Sequence, residues 1–316
     1  MPEYIFIRFL TGIGLAGEVG VGITLITELL PVKQRAAGVS LVYCFGMFGG
    51  IAAGFVGQTM NWQNAYIFGG VMGLALLAFR ISVVESSLLQ AVAQRKHIPR
   101  GRFLLILKTP RLLKIFLSCV TLGFPLYLFV GAIFLFTPEI GRALGITETL
   151  LTSKAGIWGA AGQLAGNIAS STLTNLLRSR KRLIACFIGA TALVNLALLS
   201  LPNMTATHYY LLVLVDGFFV GYVTVLLTTV TELFGTNLRA TATTAVHNFF
   251  RASLIPMTLF IGLLKPDLGL IASLLACMGV VYALAALALW CLPESFGRNL
   301  DFVDGEKAPD KGQPAP

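Results

Sequence analysis

Long apolar stretches alternate with short polar connections along this chain. A helix needs roughly 20 apolar residues to cross a bilayer core about 30 Å thick, and membrane β-strands are only about ten residues long. Breakers and polar groups, such as Pro31 and Lys265–Pro266–Asp267, separate the stretches. The nine stretches are residues 4–29, 36–58, 65–84, 113–137, 155–176, 183–201, 208–233, 240–263 and 268–292. The pattern therefore predicts an all-α membrane protein with nine transmembrane helices.

Composition narrows the class of protein further. Of the 316 residues, 56% are hydrophobic and only 12% are charged, and the mean hydropathy is +0.82. A soluble domain has roughly a quarter of its residues charged, so a soluble fold, a disordered chain and a nucleic-acid binder are excluded. We find no spacing of metal ligands, and Gly12-x-Gly14 lacks the βαβ setting of a nucleotide motif. The sequence therefore predicts neither a metal nor a cofactor.

The net charge of +9 comes mainly from one set of loops. Most of the 23 lysine and arginine residues lie in the connections that follow the odd-numbered stretches, whereas the opposite connections hold only Arg142, Lys154 and Lys265. We expect the protein to lie in the inner membrane of the cell. By the positive-inside rule, the basic loops and the C-terminus are then expected to face the cytoplasm. Anionic lipid is an expected partner of these loops.

Two segments outside the stretches have a character of their own. Residues 85–112 form the longest loop, in which Phe103–Leu107 is flanked by basic residues. This segment predicts either a surface helix or an irregular linker. Residues 305–316, rich in proline, glycine and charge, predict a disordered tail.

A repeat relates the first and last thirds of the chain. Residues 27–36 read TELLPVKQRA and residues 231–240 read TELFGTNLRA, with five of ten positions identical at a shift of 204. The same shift places the first stretch on the seventh, and both copies run in one membrane direction. This indicates a parallel repeat about an axis along the membrane normal.

The repeat has an unequal number of helices in its two halves. If each half holds six helices, three further helices are expected upstream of Met1. They would take about 95 residues, which is the length of segment 113–207. The chain is then expected to be an N-terminally truncated fragment or to have a wrongly assigned start. The expected domains are a partial N-terminal bundle (1–84), a cytoplasmic linker (85–112), a six-helix bundle (113–292) and a cytoplasmic tail (293–316).

Particular motifs resemble one family. Four segments are similar to segments of the major facilitator superfamily, nearest to its sugar-porter and metabolite:proton symporter groups. They are Arg8–Gly14 with Glu28 and Arg35, Ala16–Gly20, Trp62–Phe68 and Pro293–Gly297. The resemblance implies helices 4–12 of a twelve-helix transporter. It also implies a monomer that moves a small polar or anionic metabolite by alternating access, with protons as the expected coupling ion.

Five ionisable residues lie inside the predicted helices away from their cytoplasmic ends: Arg8, Glu18, Asp216, His247 and Arg251. Each costs about 2.5–3.5 kcal/mol or more unless it faces a cavity or a partner. Arg251 is a candidate substrate contact or a partner of Asp216 or Glu18. His247, one turn away, is a proton relay or a packing residue. Glu18 is the first candidate for proton coupling, or else pairs with Arg8 or Arg251, and Asp216 has the same two interpretations.

Polar residues at the helix ends suggest a gate. The resemblance implies a charge network that closes the cytoplasmic side, with Arg180 or Arg182 beside Glu232. The partner of Glu28 is then expected in the loop between helices two and three of the twelve-helix fold, upstream of Met1. The alternative is that these residues anchor the helix ends at the membrane interface. The candidate gate residues are Glu28, Arg35, Arg180, Arg182, Glu232 and Arg239.

Two neutral residues complete the candidate site. Gln163 and Asn167, one turn apart, offer hydrogen bonds to a ligand or between helices. The predicted function is secondary transport of a small molecule. The alternatives are an inert transporter remnant and a membrane enzyme, against which we note the lack of His-Glu-x-x-His, Gly-x-Ser-x-Gly and paired aspartates at helical spacing.

Overall fold

The computed structural model describes residues 2–81, 101–201 and 204–304, and within these ranges it contains helices and turns but no strand. The first helices are α1 (Pro2–Leu29), α2 (Val32–Thr59) and α3 (Trp62–Ile81). A short helix, α4 (Phe103–Lys108), leads to the remainder. These helices are α5 (Pro110–Leu122), α6 (Phe124–Tyr127), α7 (Thr137–Ala143), α8 (Thr152–Leu177), α9 (Arg180–Ser200), α10 (Ala206–Val220), α11 (Val223–Leu233), α12 (Arg239–Ala252) and α13 (Leu254–Cys291).

As far as the structure describes them, the nine predicted stretches lie on helical segments, and the all-α membrane class is confirmed. By length and hydropathy, five segments of the described residues qualify as membrane spans. They are Glu3–Leu29, Pro110–Ile133, Arg180–Ser200, Ala206–Leu233 and Arg239–Cys291, of which the last holds two predicted stretches. Of the two alternatives for Phe103–Leu107, the structure shows the helix. The expected tail 305–316 and residues 82–100 lie outside the described ranges.

Three predicted stretches are broken rather than continuous. Stretch 113–137 is interrupted at Gly123 and passes through a π-helical turn, Leu128–Ile133. The helix restarts with Pro125 in its first turn, where a missing N–H does no harm. Stretch 208–233 breaks at Gly221, and stretch 240–263 breaks at Ser253. Pattern reasoning missed these breaks because the apolar residues continue through them.

The breaks pack against one another. The Tyr222 hydroxyl donates a 2.6 Å hydrogen bond to the Leu122 carbonyl, which the break at Gly123 leaves without a helical partner. A Cβ atom on Gly123 would overlap the ring of Phe250, close to the break at Ser253. The three interruptions therefore lie at one place between α5, α11 and α12.

Glycines bring α8 and α10 together along their length. A Cβ atom on Gly162 would overlap the Leu214 carbonyl, and one on Gly217 would overlap the Gly159 carbonyl. Such close contact needs small residues on both helices, because in lipid the association depends on van der Waals packing. α8 and α10 therefore form a tightly packed pair within helices α5–α13, which we call the second group of helices.

The chain ends of several helices gather on one side of the bundle. Helix α1 contacts α12, and helix α2 contacts both α8 and α11. The first two helices therefore pack against the second group of helices. Residues 29–35, 177–180, 233–239 and 291–304 all lie at the same end, which we call the basic end. The expectation that these connections share one side of the membrane is consistent with this arrangement.

We expect Gly162→Ala to lower the free energy of unfolding by the cost of overpacking, about 1–3 kcal/mol. The melting temperature of the purified protein should fall accordingly. The matched control is Gly156→Ala on the same helix, where no atom lies within 4 Å of the new methyl group. Thermal unfolding in detergent measures both. Equal melting temperatures for the two variants would contradict the packing of α8 on α10.

Candidate functional site

Each repeat places one acid and one base at the basic end. α1 carries Glu28 in its last turn, and α2 carries Arg35 in its first turn after the break at Pro31. In the second repeat, Glu232 lies in the last turn of α11, and Arg239 is the first residue of α12. The shared sequence motif therefore delivers two acid–base sets to one level of the bundle.

The four residues pair across the repeats rather than within them. Arg239 Nη1 lies 2.6 Å from Glu28 Oε1, and Arg35 Nη1 lies 3.7 Å from Glu232 Oε1. The acid of each repeat thus contacts the base of the other, a reciprocal arrangement of the kind that a two-fold relation between the repeats allows. The partner of Glu28, expected in an absent loop, is therefore Arg239, because the reciprocal arrangement supplies it from the second repeat.

Glu232 contacts three other residues of this network, Arg35, Arg180 and Ser295. Its side chain is fully buried, and Arg180 grips both carboxylate oxygens, with Nη2 at 3.0 Å from Oε1 and Nε at 3.3 Å from Oε2. Ser295 Oγ donates to Oε2 at 2.8 Å. Arg182, the other expected partner, is exposed, and its backbone N–H caps α9 through Ser179. Of the two arginines, the structure therefore brings Arg180 to Glu232.

Residues 293–304, which we call the tail segment, bind both repeats. The Arg298 carbonyl accepts a hydrogen bond from Arg35 at 3.1 Å, and the Leu300 carbonyl accepts one from Arg239 at 2.7 Å. Glu294 accepts the Ser179 hydroxyl. Burial alone raises the pKa of Glu294, but hydrogen bonds from Ser179 and from three backbone N–H groups outweigh it and hold the pKa below its ordinary value.

A second group of residues lies deep along α12. Arg251 is twelve residues beyond Arg239, about 18 Å along the helix, and its side chain is exposed. The ring of Phe250 packs on Tyr127, with centroids 5.8 Å apart, and on His247, with centroids 5.2 Å apart. Arg251 interacts electrostatically with both Tyr127 and His247.

Helix α2 adds one more aromatic residue to this group. The Tyr43 hydroxyl is buried, has no hydrogen-bond partner among the described residues, and interacts with Tyr127. We call Tyr43, Tyr127, His247, Phe250 and Arg251 the aromatic cluster. Sequence reasoning found its histidine and arginine but missed both tyrosines, because tyrosine counts as apolar in a hydropathy pattern. The break beside Tyr127 was the signal that could have found it.

The residues predicted on α1 lie in different settings. Glu18 is exposed on α1, between two contacts with α12: Gly20 packs on Thr244, and Asn248 donates to the Ala16 carbonyl at 2.9 Å. Of Arg8, only the backbone belongs to the described part of the structure. The proposed role of Glu18 in proton coupling therefore stays a prediction.

The expected pairing of Arg251 with Asp216 is not found among the described residues. Asp216 is completely buried on α10, and it accepts a 3.1 Å hydrogen bond from Asn195 on α9. The amide of Asn195 also lies 3.0 Å from the Tyr282 hydroxyl of α13. Asp216 thus belongs to a polar cluster inside the second group of helices.

The neutral candidates on α8 face α10. Asn167 is completely buried next to Gly221, and neither its amide nitrogen nor its oxygen has a hydrogen-bond partner among the described residues. Gln163 is half-buried one turn earlier. An unpaired buried amide is costly, and the predicted roles of Asn167, a hydrogen bond to a ligand or between helices, stay predictions.

Helix bundles with broken helices at mid-depth and a parallel repeat define a class of membrane protein, the secondary transporters. Residues 1–258 match the Major Facilitator Superfamily, and the chain belongs to that family. It is accordingly a multi-pass membrane transporter and not an enzyme.

Three relatives indicate the range of the family nearby. A probable 4-methylmuconolactone transporter of Cupriavidus pinatubonensis is 24% identical over 309 residues, which cover 95% of this chain and 71% of the relative. A candidate metabolite transport protein of Haemophilus influenzae is 25% identical over 317 residues, covering 95% and 75%. The 3-(3-hydroxy-phenyl)propionate transporter of Escherichia coli is 35% identical over 79 residues, covering 24% and 20%.

We expect a double-mutant cycle of Glu28→Gln and Arg239→Gln to show strong coupling in thermal stability. Removing one partner of a buried ion pair leaves an uncompensated charge, which costs about 3–5 kcal/mol. The double variant should recover part of that loss.

The matched control is the exposed pair of Glu139 and Lys265, whose side chains are 41% and 42% accessible. The same cycle there should give a coupling of about 0–1 kcal/mol. Coupling at Glu28 and Arg239 as small as at this control pair would argue against a buried contact between the repeats.

Proposed function

We propose that this protein carries a small, ring-containing carboxylate across the inner membrane by alternating access, driven by a proton gradient. The observation that supports it most is the aromatic cluster, which sets an accessible guanidinium, Arg251, beside Tyr127 and Phe250 at mid-depth. A guanidinium offers two parallel N–H groups to a carboxylate. The partly exposed ring of Tyr127, which packs on the buried ring of Phe250, offers a face on which a planar ring can stack.

Two of the relatives point to the same substrate class. One is named for 4-methylmuconolactone and another for 3-(3-hydroxy-phenyl)propionate. Both compounds combine a ring with a carboxylate. The unpaired Tyr43 hydroxyl would add a hydrogen bond to a polar group on the ring.

The basic end supplies a gate for this site. We infer that it faces the cytoplasm, because basic loops are retained on that side. The reciprocal ion pairs then hold the cytoplasmic side closed in the arrangement described. Opening that side separates Glu28 from Arg239 and Arg35 from Glu232. The helix breaks between α5, α11 and α12 provide points about which helices bend.

Protons are the proposed coupling ion. Glu18, Asp216 and His247 are the ionisable candidates that lie within helices near mid-depth. The protein acts as a monomer, with anionic lipid around its basic loops. Substrate moves in its anionic form, so a co-transported proton also offsets the charge that crosses the membrane.

The test is counterflow of 3-(3-hydroxyphenyl)propionate in liposomes that contain the purified protein. We expect Arg251→Gln to raise KM by about 10–100-fold, since a hydrogen bond to a charged group is worth about 1.5–3 kcal/mol. The wild-type protein should reject the uncharged amide of the same compound, and the variant should lose that discrimination.

Arg142→Gln is the matched control, since Arg142 is an exposed arginine on α7, away from the cluster. It should leave KM unchanged. Counterflow that is absent for ring carboxylates, or an Arg251→Gln variant that still distinguishes acid from amide, would refute the proposed substrate site.

A further inference from the structure

Asp216 is a buried acid with few hydrogen bonds. Its side chain is 0% exposed, and Oδ1 accepts one hydrogen bond, from Asn195 Nδ2. The other oxygen, Oδ2, is buried with no partner among the described residues. An ionised carboxylate has about four lone-pair sites to fill. The surroundings of Asp216 therefore suit the neutral acid and not the anion.

The one donor to Asp216 is itself shared. Asn195 Nδ2 lies 2.9 Å from the Thr191 carbonyl, 3.1 Å from Asp216 Oδ1 and 3.0 Å from the Tyr282 hydroxyl. The amide has two N–H groups for these three acceptors. The Thr191 carbonyl can only accept, so it takes one N–H, and Asp216 and Tyr282 compete for the other.

The titratable groups that face Asp216 are all tyrosines. Tyr209 lies on the same helix, Tyr222 in the turn that follows it, and Tyr282 on α13, while α9 presents the uncharged Asn195. Among the side chains that the structure describes, which do not include those of Arg8 and Arg80, no lysine, arginine or histidine interacts with Asp216. An anion here would be a buried charge without compensation, which proteins avoid.

On the basis of the proposed function, we propose that Asp216 is the group that binds the co-transported proton, with Asn195 and Tyr282 tuning how tightly it is held. The closed arrangement keeps water from Asp216, so it forms only after a proton has joined Oδ2. When the helices open, water reaches Oδ2, the O–H bond breaks, and the proton passes to water. The carboxylate then accepts hydrogen bonds from water until the next proton arrives.

This arrangement couples two events through burial. Passage of the loaded protein between the two open states runs through the closed arrangement, and that arrangement excludes the ionised form of Asp216. Substrate therefore crosses only together with the proton, which is released to water on the far side. The empty protein returns with Asp216 ionised, through an arrangement in which water still reaches Oδ2, so that one proton is carried in each net cycle. Exchange of labelled for unlabelled substrate does not require the proton to leave, since the protonated protein can return loaded.

The first experiment separates these two activities in liposomes containing the full chain, with 3-(3-hydroxyphenyl)propionate as substrate. Asp216→Asn mimics the permanently protonated acid. We expect it to keep counterflow within about threefold of wild type and to lose accumulation driven by a pH gradient. Glu139→Gln, an exposed change on α7, should keep both activities.

The second experiment keeps the acid and changes its neighbours. Tyr282→Phe removes the competitor for the Asn195 N–H, so the anion is better stabilised and the pH midpoint of proton-driven uptake should fall. Asn195→Leu removes the donor, and the midpoint should rise. A hydrogen bond to a charged group corresponds to a shift of about one to two pH units. A merely structural role would lower the rate without moving the midpoint in opposite directions.

The outcomes distinguish the two levels of the proposal. Wild-type protein without counterflow would refute the proposed function itself. Counterflow together with proton-driven accumulation in Asp216→Asn would refute only the assignment of Asp216. If Asp216→Asn fails to fold, the pH midpoints of Tyr282→Phe and Asn195→Leu decide. Midpoints that shift in the same direction, or that do not shift, would overturn the assignment.

Discussion

The reciprocal pairing of two glutamates with two arginines is the constraint on which this structure depends. Glu28 and Arg35 belong to the first repeat, and their counterparts Glu232 and Arg239 belong to the second. Each acid contacts the other repeat's base, so opening this end separates Arg239 from Glu28 and Arg35 from Glu232, although Glu232 also pairs with Arg180. Because an unpaired buried charge is so costly, this end of the bundle is either fully closed or open to water. That two-state character is what a gate requires.

The same logic of burial runs through the rest of the bundle. Arg180 and Ser295 complete the shell around Glu232, so the tail segment is part of the closed arrangement rather than an appendage. At mid-depth, Asp216 meets only neutral groups, whereas Arg251 is exposed beside aromatic rings. The paired, neutral and accessible groups thus correspond to the three tasks that we propose: closing the gate, holding a proton and binding an anion.

Much of the fold could be predicted from the sequence, because apolar stretches of about 20 residues leave few alternatives to membrane helices. The repeated motif identified four residues that meet at the basic end, but not that they pair across repeats, since a local motif carries no information about partners. Helix breaks at Gly123, Gly221 and Ser253 escaped because they interrupt hydrogen bonding without changing hydropathy. Tyr43 and Tyr127 escaped for a related reason: a hydropathy pattern does not separate a ligand-facing tyrosine from a packing one.

The most direct test of the central claim is a spin-label distance measurement across the basic end, with labels on Gln34→Cys and Arg182→Cys in a background without the native cysteines. Both positions are exposed, one on each side of the contact between the repeats. We predict one short, narrow distance population that gains a longer component when Glu28→Gln and Glu232→Gln are combined, and that does not change with Glu139→Gln. An identical distance distribution in all three proteins would contradict a gate held by reciprocal ion pairs.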